Sequence, residues 1–270
     1  MKTLFKAFGI FCLLGIAYSI LQTTLALTVP QWTSSITGLY VLQSLSLIVV
    51  FGLSAYWGIR ATEHTEPLQA VGFRTTLPSR NALLAAALSA VALPFVVYTE
   101  ELNEQLPLPD IFIMMEQMAL VITERMMNTS SYSRLILNII VIAAVPAICE
   151  EIMFRGWIQR RLTGLMNHHT AVWVTAIIFS AIHLQFLGFF PRLFLGLILG
   201  YAYYYTRSLW ASALMHFLNN ALAVVASFLV YNKFIEEPQP SAPLAIASLA
   251  LSITLIYFIS KTPEKQECDI

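Results

Sequence analysis

Apolar runs recur along this chain at lengths that a water-soluble fold does not use. A helix that crosses hydrocarbon needs about 20 mostly apolar residues, because no water is present to satisfy its backbone. Eight stretches meet or approach that requirement: Leu4 to Leu27, Ile36 to Ile59, Ala82 to Thr99, Leu135 to Met153, Ala171 to Leu187, Leu193 to Tyr205, Leu209 to Tyr231 and Leu244 to Ser260. The sixth is short and reads as a shortened or re-entrant helix. Ile111 to Ile122 is shorter still, carries Glu116 and lies in an acidic loop, so it reads as an interfacial helix. The expected fold is all-α, a polytopic membrane protein of about eight transmembrane helices. It divides into an N-terminal set of helices with an acidic loop (1–130), a polar-motif segment (131–232) and a last helix with its tail (233–270). Together they form one integral membrane domain.

Composition agrees, with 58% hydrophobic residues and only 11% charged, against roughly a quarter charged in soluble domains. Fifteen basic residues balance fifteen acidic ones, which leaves no basic face for a nucleic-acid backbone and counts against that partner. Cys12, Cys149 and Cys268 have no metal-type spacing. Lys2 and Lys6 precede a long apolar run that reads as a retained first helix rather than a cleaved signal. With the N-terminus inside, the cytoplasmic side collects Lys2, Lys6, Arg60, Arg74, Arg80, Arg155, Arg160, Arg161, Arg207, Lys261 and Lys265. The other side holds Arg125, Arg134, Arg192 and Lys233. This bias predicts both termini in the cytoplasm and an even number of spans.

An ionisable side chain at mid-membrane costs at least ~2.5 kcal/mol on insertion scales, so each one calls for a partner or a task. Glu150, Glu151 and Arg155 end the fourth stretch, His183 lies in the fifth, and His216, Asn219 and Asn220 lie in the seventh. Residues four apart share a helix face. Arg155 therefore pairs with Glu151 and leaves Glu150 the freer carboxylate, while His216 and Asn220 project together and Phe179 with His183 repeats the spacing. A structural ion pair accounts for Glu151 and Arg155 taken alone, and a lone membrane histidine serves interhelical bonding as readily as catalysis. The whole set supports hydrolysis. Glu150 as general base and His183 would hold a water, and His216 and Asn220 would stabilise the oxyanion.

These residues form E-E-x-x-x-R (Glu150, Glu151, Arg155), F-x-x-x-H (Phe179, His183) and H-x-x-x-N (His216, Asn220), in order and on separate helices. In this the sequence resembles the CAAX-processing and bacteriocin-processing family of intramembrane proteases, which includes the eukaryotic Ras-converting CAAX endopeptidase. The resemblance covers the C-terminal half and implies a conical helical bundle with a cavity open to the cytosol. It further implies peptide-bond hydrolysis in membrane-associated, prenylated or otherwise lipid-bound substrates, with membrane lipid as the other partner. Two mechanisms stay open: Glu150, His183 and His216 as ligands of a zinc ion, or glutamate and histidine activating water without a metal, the reading favoured here. Alternatives are a bacteriocin-immunity or peptide-processing role at the same site, and a proton-coupled transporter. Gly196 and Gly200 form G-x-x-x-G, read as close helix packing within the bundle.

Overall fold

The computed structural model describes residues 2–62, 71–73, 75–239 and 241–261; Arg74, Lys265 and Cys268 lie outside them. The described residues are helical with no strand. In chain order the helices are α1 (Lys2–Thr28), α2 (Ile36–Ala61), α3 (Ser79–Glu104), α4 (Asp110–Met127), α5 (Tyr132–Thr163), α6 (His168–Ala181), α7 (Phe189–Thr206), α8 (Leu209–Tyr231) and α9 (Ala242–Ser260). Seven of these, all but α4 and α6, are long and apolar enough to cross a membrane, α7 with the 3₁₀ turn Phe186–Gly188 before it. The chain is an all-α polytopic membrane protein.

Three expectations change. The fourth apolar stretch, α5, does not stop at Met153 but runs on to Thr163, because Arg155 is buried and paired rather than placed in a loop. Arg155 therefore drops out of the charge count, which leaves ten basic residues against four. The fifth apolar stretch is α6, which has 14 residues and ends at Ala181, about 21 Å at the usual helical rise. His183 thus stands in the turn beyond it rather than inside a span. The sixth stretch, expected to fall short, begins earlier and reaches crossing length as Phe186–Thr206.

Local chemistry explains where helices begin and bend. Ser35 caps α2 by accepting from the Gly38 N–H, and Asn167 caps α6 by accepting from the Thr170 N–H at 2.9 Å. In α3, Pro94 interrupts the helical ladder. Ser248 from α9 inserts one residue further on, between the Val91 carbonyl, to which it donates at 2.5 Å, and the Phe95 N–H, from which it accepts at 3.2 Å. In α5, two π-helical stretches, Ile139–Ala144 and Ile152–Gln159, flank the turns that hold Pro146, Glu150 and Glu151. Wider turns of this kind are frequent at functional sites.

The G-x-x-x-G pair works within the bundle, as expected. A Cβ on Gly196 would lie 3.0 Å from that of Ala176, and one on Gly200 would lie 2.9 Å from Val172 Cγ1. The bare backbone is also used for bonding: Arg155 donates to the Gly196 carbonyl at 3.1 Å and Gln159 to that of Gly200 at 2.8 Å. Two residues four apart on α5 thus meet two residues four apart on α7. A Gly196→Val substitution should lower the thermal unfolding temperature in detergent, at a cost on the order of 1–3 kcal/mol. Gly15→Val, where nothing lies within 4 Å, should leave it unchanged; equal shifts would contradict the packing.

Candidate active site

Helix α5 supplies the carboxylates at the same depth as the turn after α6. Glu150 is thirteen residues from the end of α5 at Thr163, and His183 is fifteen from the start of α6 at His168, so both lie about 20–22 Å from the short α5–α6 loop. Helix α8 starts inside the bundle, where Leu209 packs with Ile59, Val71 and Trp157. His216 lies seven residues past Leu209 and Glu150 seven before Trp157, which brings the two to one level.

Glu151 is wholly buried. Its Oε1 accepts from Arg155 Nη1 at 2.7 Å and faces His216 Nδ1 at 2.8 Å. The carboxylate can only accept, so His216 Nδ1 carries its proton there and Nε2 turns the other way. That nitrogen lies 4.0 Å from Glu150 Oε2. His183 is set in the same manner: Nδ1 donates to the Phe179 carbonyl at 2.7 Å, and Nε2 lies 4.0 Å from the same Glu150 oxygen. Both imidazoles therefore aim Nε2 at one carboxylate oxygen. The separation exceeds a direct hydrogen bond and suits one water at about 2.8 Å from each group.

Phe179 holds this arrangement from the side. Its ring meets His183 edge-on at 5.2 Å between centroids, His216 at 5.9 Å and Phe154 at 5.0 Å, and the Arg155 guanidinium lies 4.8 Å above it. The turn carrying His183 is clamped by Asn103 of α3, which donates to the Phe186 carbonyl and accepts from the Phe190 N–H, and by Glu116 of α4, which accepts from the Leu187 N–H. Leu184 in that turn adopts a left-handed conformation, φ 55°. Asn220 has a structural partner. Pro146 has no N–H to offer the carbonyl four residues before it, and Asn220 Nδ2 lies 3.4 Å from that Ile142 oxygen.

Glu150, Phe179, His183, His216 and Asn220 line one cavity of about 210 Å³. Glu151 and Arg155 stand behind it. Residues the sequence did not single out for the site also line it: Gln43 from α2, Ser89 from α3 and Arg192 from α7, besides Asn219. A lone glutamine in α2 carries no motif, and Arg192, whose guanidinium donates to the Gln185 carbonyl, looked like a loop charge. The donor types of Glu150, His183 and His216 are those of zinc. Their 4.0 Å spacing is wider than the ~3.4 Å between tetrahedral ligands at zinc bond lengths, and among the described residues no group of three such side chains is close enough to hold a metal.

Fold and cavity together define a polytopic membrane protein with a buried carboxylate–imidazole centre. Residues 132–222, about a third of the chain and all of the motif-bearing helices, match the family model described as type II CAAX prenyl endopeptidase Rce1-like. That segment is similar to the CAAX-processing protease family, and the likeness takes in all three motifs. No curated protein and no solved structure matches it.

The Arg155 site yields a stability test. Arg155→Met leaves Glu151 buried without its cation and should cost about 3–5 kcal/mol, and Arg155→Lys should fall between, since one ammonium cannot span Glu151 and the Gly196 carbonyl. Thermal unfolding in detergent measures both, and a methionine variant as stable as wild type would contradict the pairing.

Proposed function

We propose that the protein is an intramembrane endopeptidase that hydrolyses a peptide bond in membrane-associated substrates, prenylated CAAX-type chains among them. The observation that carries this reading is the pair of Nε2 atoms aimed at Glu150 Oε2 across a water-sized gap. Glu150 accepts the proton of an attacking water and later passes it to the leaving amine. His183, with its proton held on the Phe179 side, presents an acceptor to the same water and fixes its line of approach. His216 is backed by Glu151 and Arg155; in its imidazolium form it offers Nε2–H to the oxyanion, and the second amide hydrogen of Asn220 adds to it. No serine or cysteine nucleophile is needed. Since the two 4.0 Å gaps at Glu150 Oε2 are wider than zinc ligands keep, no step is routed through a metal.

The catalytic segment is 131–232, with both termini in the cytoplasm, as ten basic residues against four support; seven full-length crossing helices leave that arrangement one pass short, and it requires the short α6 with the turn after it to serve as the eighth. The substrate is delivered from the membrane, because the cavity lies among crossing helices.

The test is cleavage of a quenched-fluorescent farnesylated C-a-a-X peptide by detergent-purified protein. Glu150→Gln and His183→Ala should each lose at least roughly 10²-fold in rate, the scale of a lost general base, without unfolding the bundle. Chelator should leave wild-type activity intact. Full activity in Glu150→Gln would overturn the assignment, and activity only on unprenylated peptides would shift the substrate toward peptide processing.

A further inference from the structure

In a helical bundle the backbone is hydrogen-bonded to itself. A peptide drawn into the cavity brings N–H and C=O groups that have lost their water, and only side chains can satisfy them. The polar groups that line the cavity beside Glu150 and the two histidines are mostly engaged already. The Ser89 hydroxyl turns its proton to the carbonyls of Ala85 and Met215 at 3.0 and 3.3 Å. Asn220 takes the Ile142 carbonyl, and Arg192 is held by Gln185.

Two carboxamides are left over. Gln43 is exposed on the membrane-crossing helix α2 and lines the cavity, and its side chain makes no hydrogen bond among the described residues. Asn219 has a buried Oδ1 with no partner, and its amide makes only a 3.5 Å contact with Asn220 Oδ1. An unpaired amide within a crossing helix is unfavourable unless something arrives to pair with it. A carboxamide offers both a donor and an acceptor, the complement of a peptide group.

On the protease reading above, we infer that Gln43 and Asn219 bind the main chain of the substrate, pairing with peptide groups that flank the scissile bond and holding it in extended form. Gln43 lies outside the segment that matches the family model, so this contact draws the first half of the chain into substrate binding. It grips the backbone and not the side chains, and it is indifferent to substrate sequence.

The experiment uses C-a-a-X peptides in which one amide at a time beside the scissile bond is replaced by an ester, which removes a single N–H. Affinity is read by fluorescence anisotropy on Glu150→Gln protein, which needs no turnover. One ester position should weaken binding roughly three- to tenfold, the worth of one hydrogen bond. That penalty should vanish when Gln43→Leu or Asn219→Leu is added. In the active protein Gln43→Leu should raise KM by that factor while changing kcat less. Should Asn219→Leu fail to fold, Gln43→Leu, at an exposed position, carries the test alone. Ester penalties that persist in the leucine variants, or no penalty at any position while the wild type still cleaves, would overturn this inference and leave the protease reading standing. A parent protein that neither binds nor cleaves any of the peptides would overturn both.

Discussion

Two glutamates stand side by side on α5, and the arginine four residues later gives them different environments. Arg155 has no exposed surface and Glu151 none either; a charge placed at such depth is tolerable only when it is paired and hydrogen-bonded. The pair does more than cancel. Arg155 ties α5 to α7 through the Gly196 carbonyl and lies over Phe179, and Glu151 ties α5 to α8 through His216. Once Glu151 is committed to these partners, Glu150 is left facing the cavity with no direct hydrogen bond among the described residues and with two imidazole nitrogens 4.0 Å from its Oε2.

Backbone irregularity contributes as much as charge. Pro146 removes a donor one turn before Glu150, and the freed Ile142 carbonyl draws in Asn220, which seats α8 against α5. The end of α6 at Ala181 lets the chain turn, so that His183 approaches Glu150 from beyond a helix terminus, with Nδ1 bound to the last turn. Asn103 and Glu116 fasten this turn from α3 and α4, so the N-terminal half takes part in the geometry of a site whose motifs all lie in the C-terminal half.

Much of this could be read from the residues. Apolar runs locate the crossing helices because lipid imposes a length, and the four-residue spacing of Glu151 and Arg155 already says which glutamate is spent. What could not be read has a physical cause in each case. Hydropathy ends α5 at Met153, between its glutamates and Arg155, since neutralisation by partners on α7 and α8 is invisible in a linear scan. The run from Ala171 to Leu187 is unbroken, and the residue that turns the chain is a leucine in a left-handed conformation, where glycine or asparagine would have marked the stop. Gln43 is isolated within its span, and its relation to Asn219, far along the chain, exists only in the folded bundle.

The division of labour between the adjacent glutamates is the centre of this account, and thermal unfolding of Glu150→Gln and Glu151→Gln proteins side by side in detergent tests it most directly. Glu151→Gln strands Arg155 and releases His216, so its unfolding temperature should fall well below wild type. Glu150→Gln, which removes no bonded partner, should unfold with the wild type. Equal losses, or a larger loss at Glu150, would contradict the account.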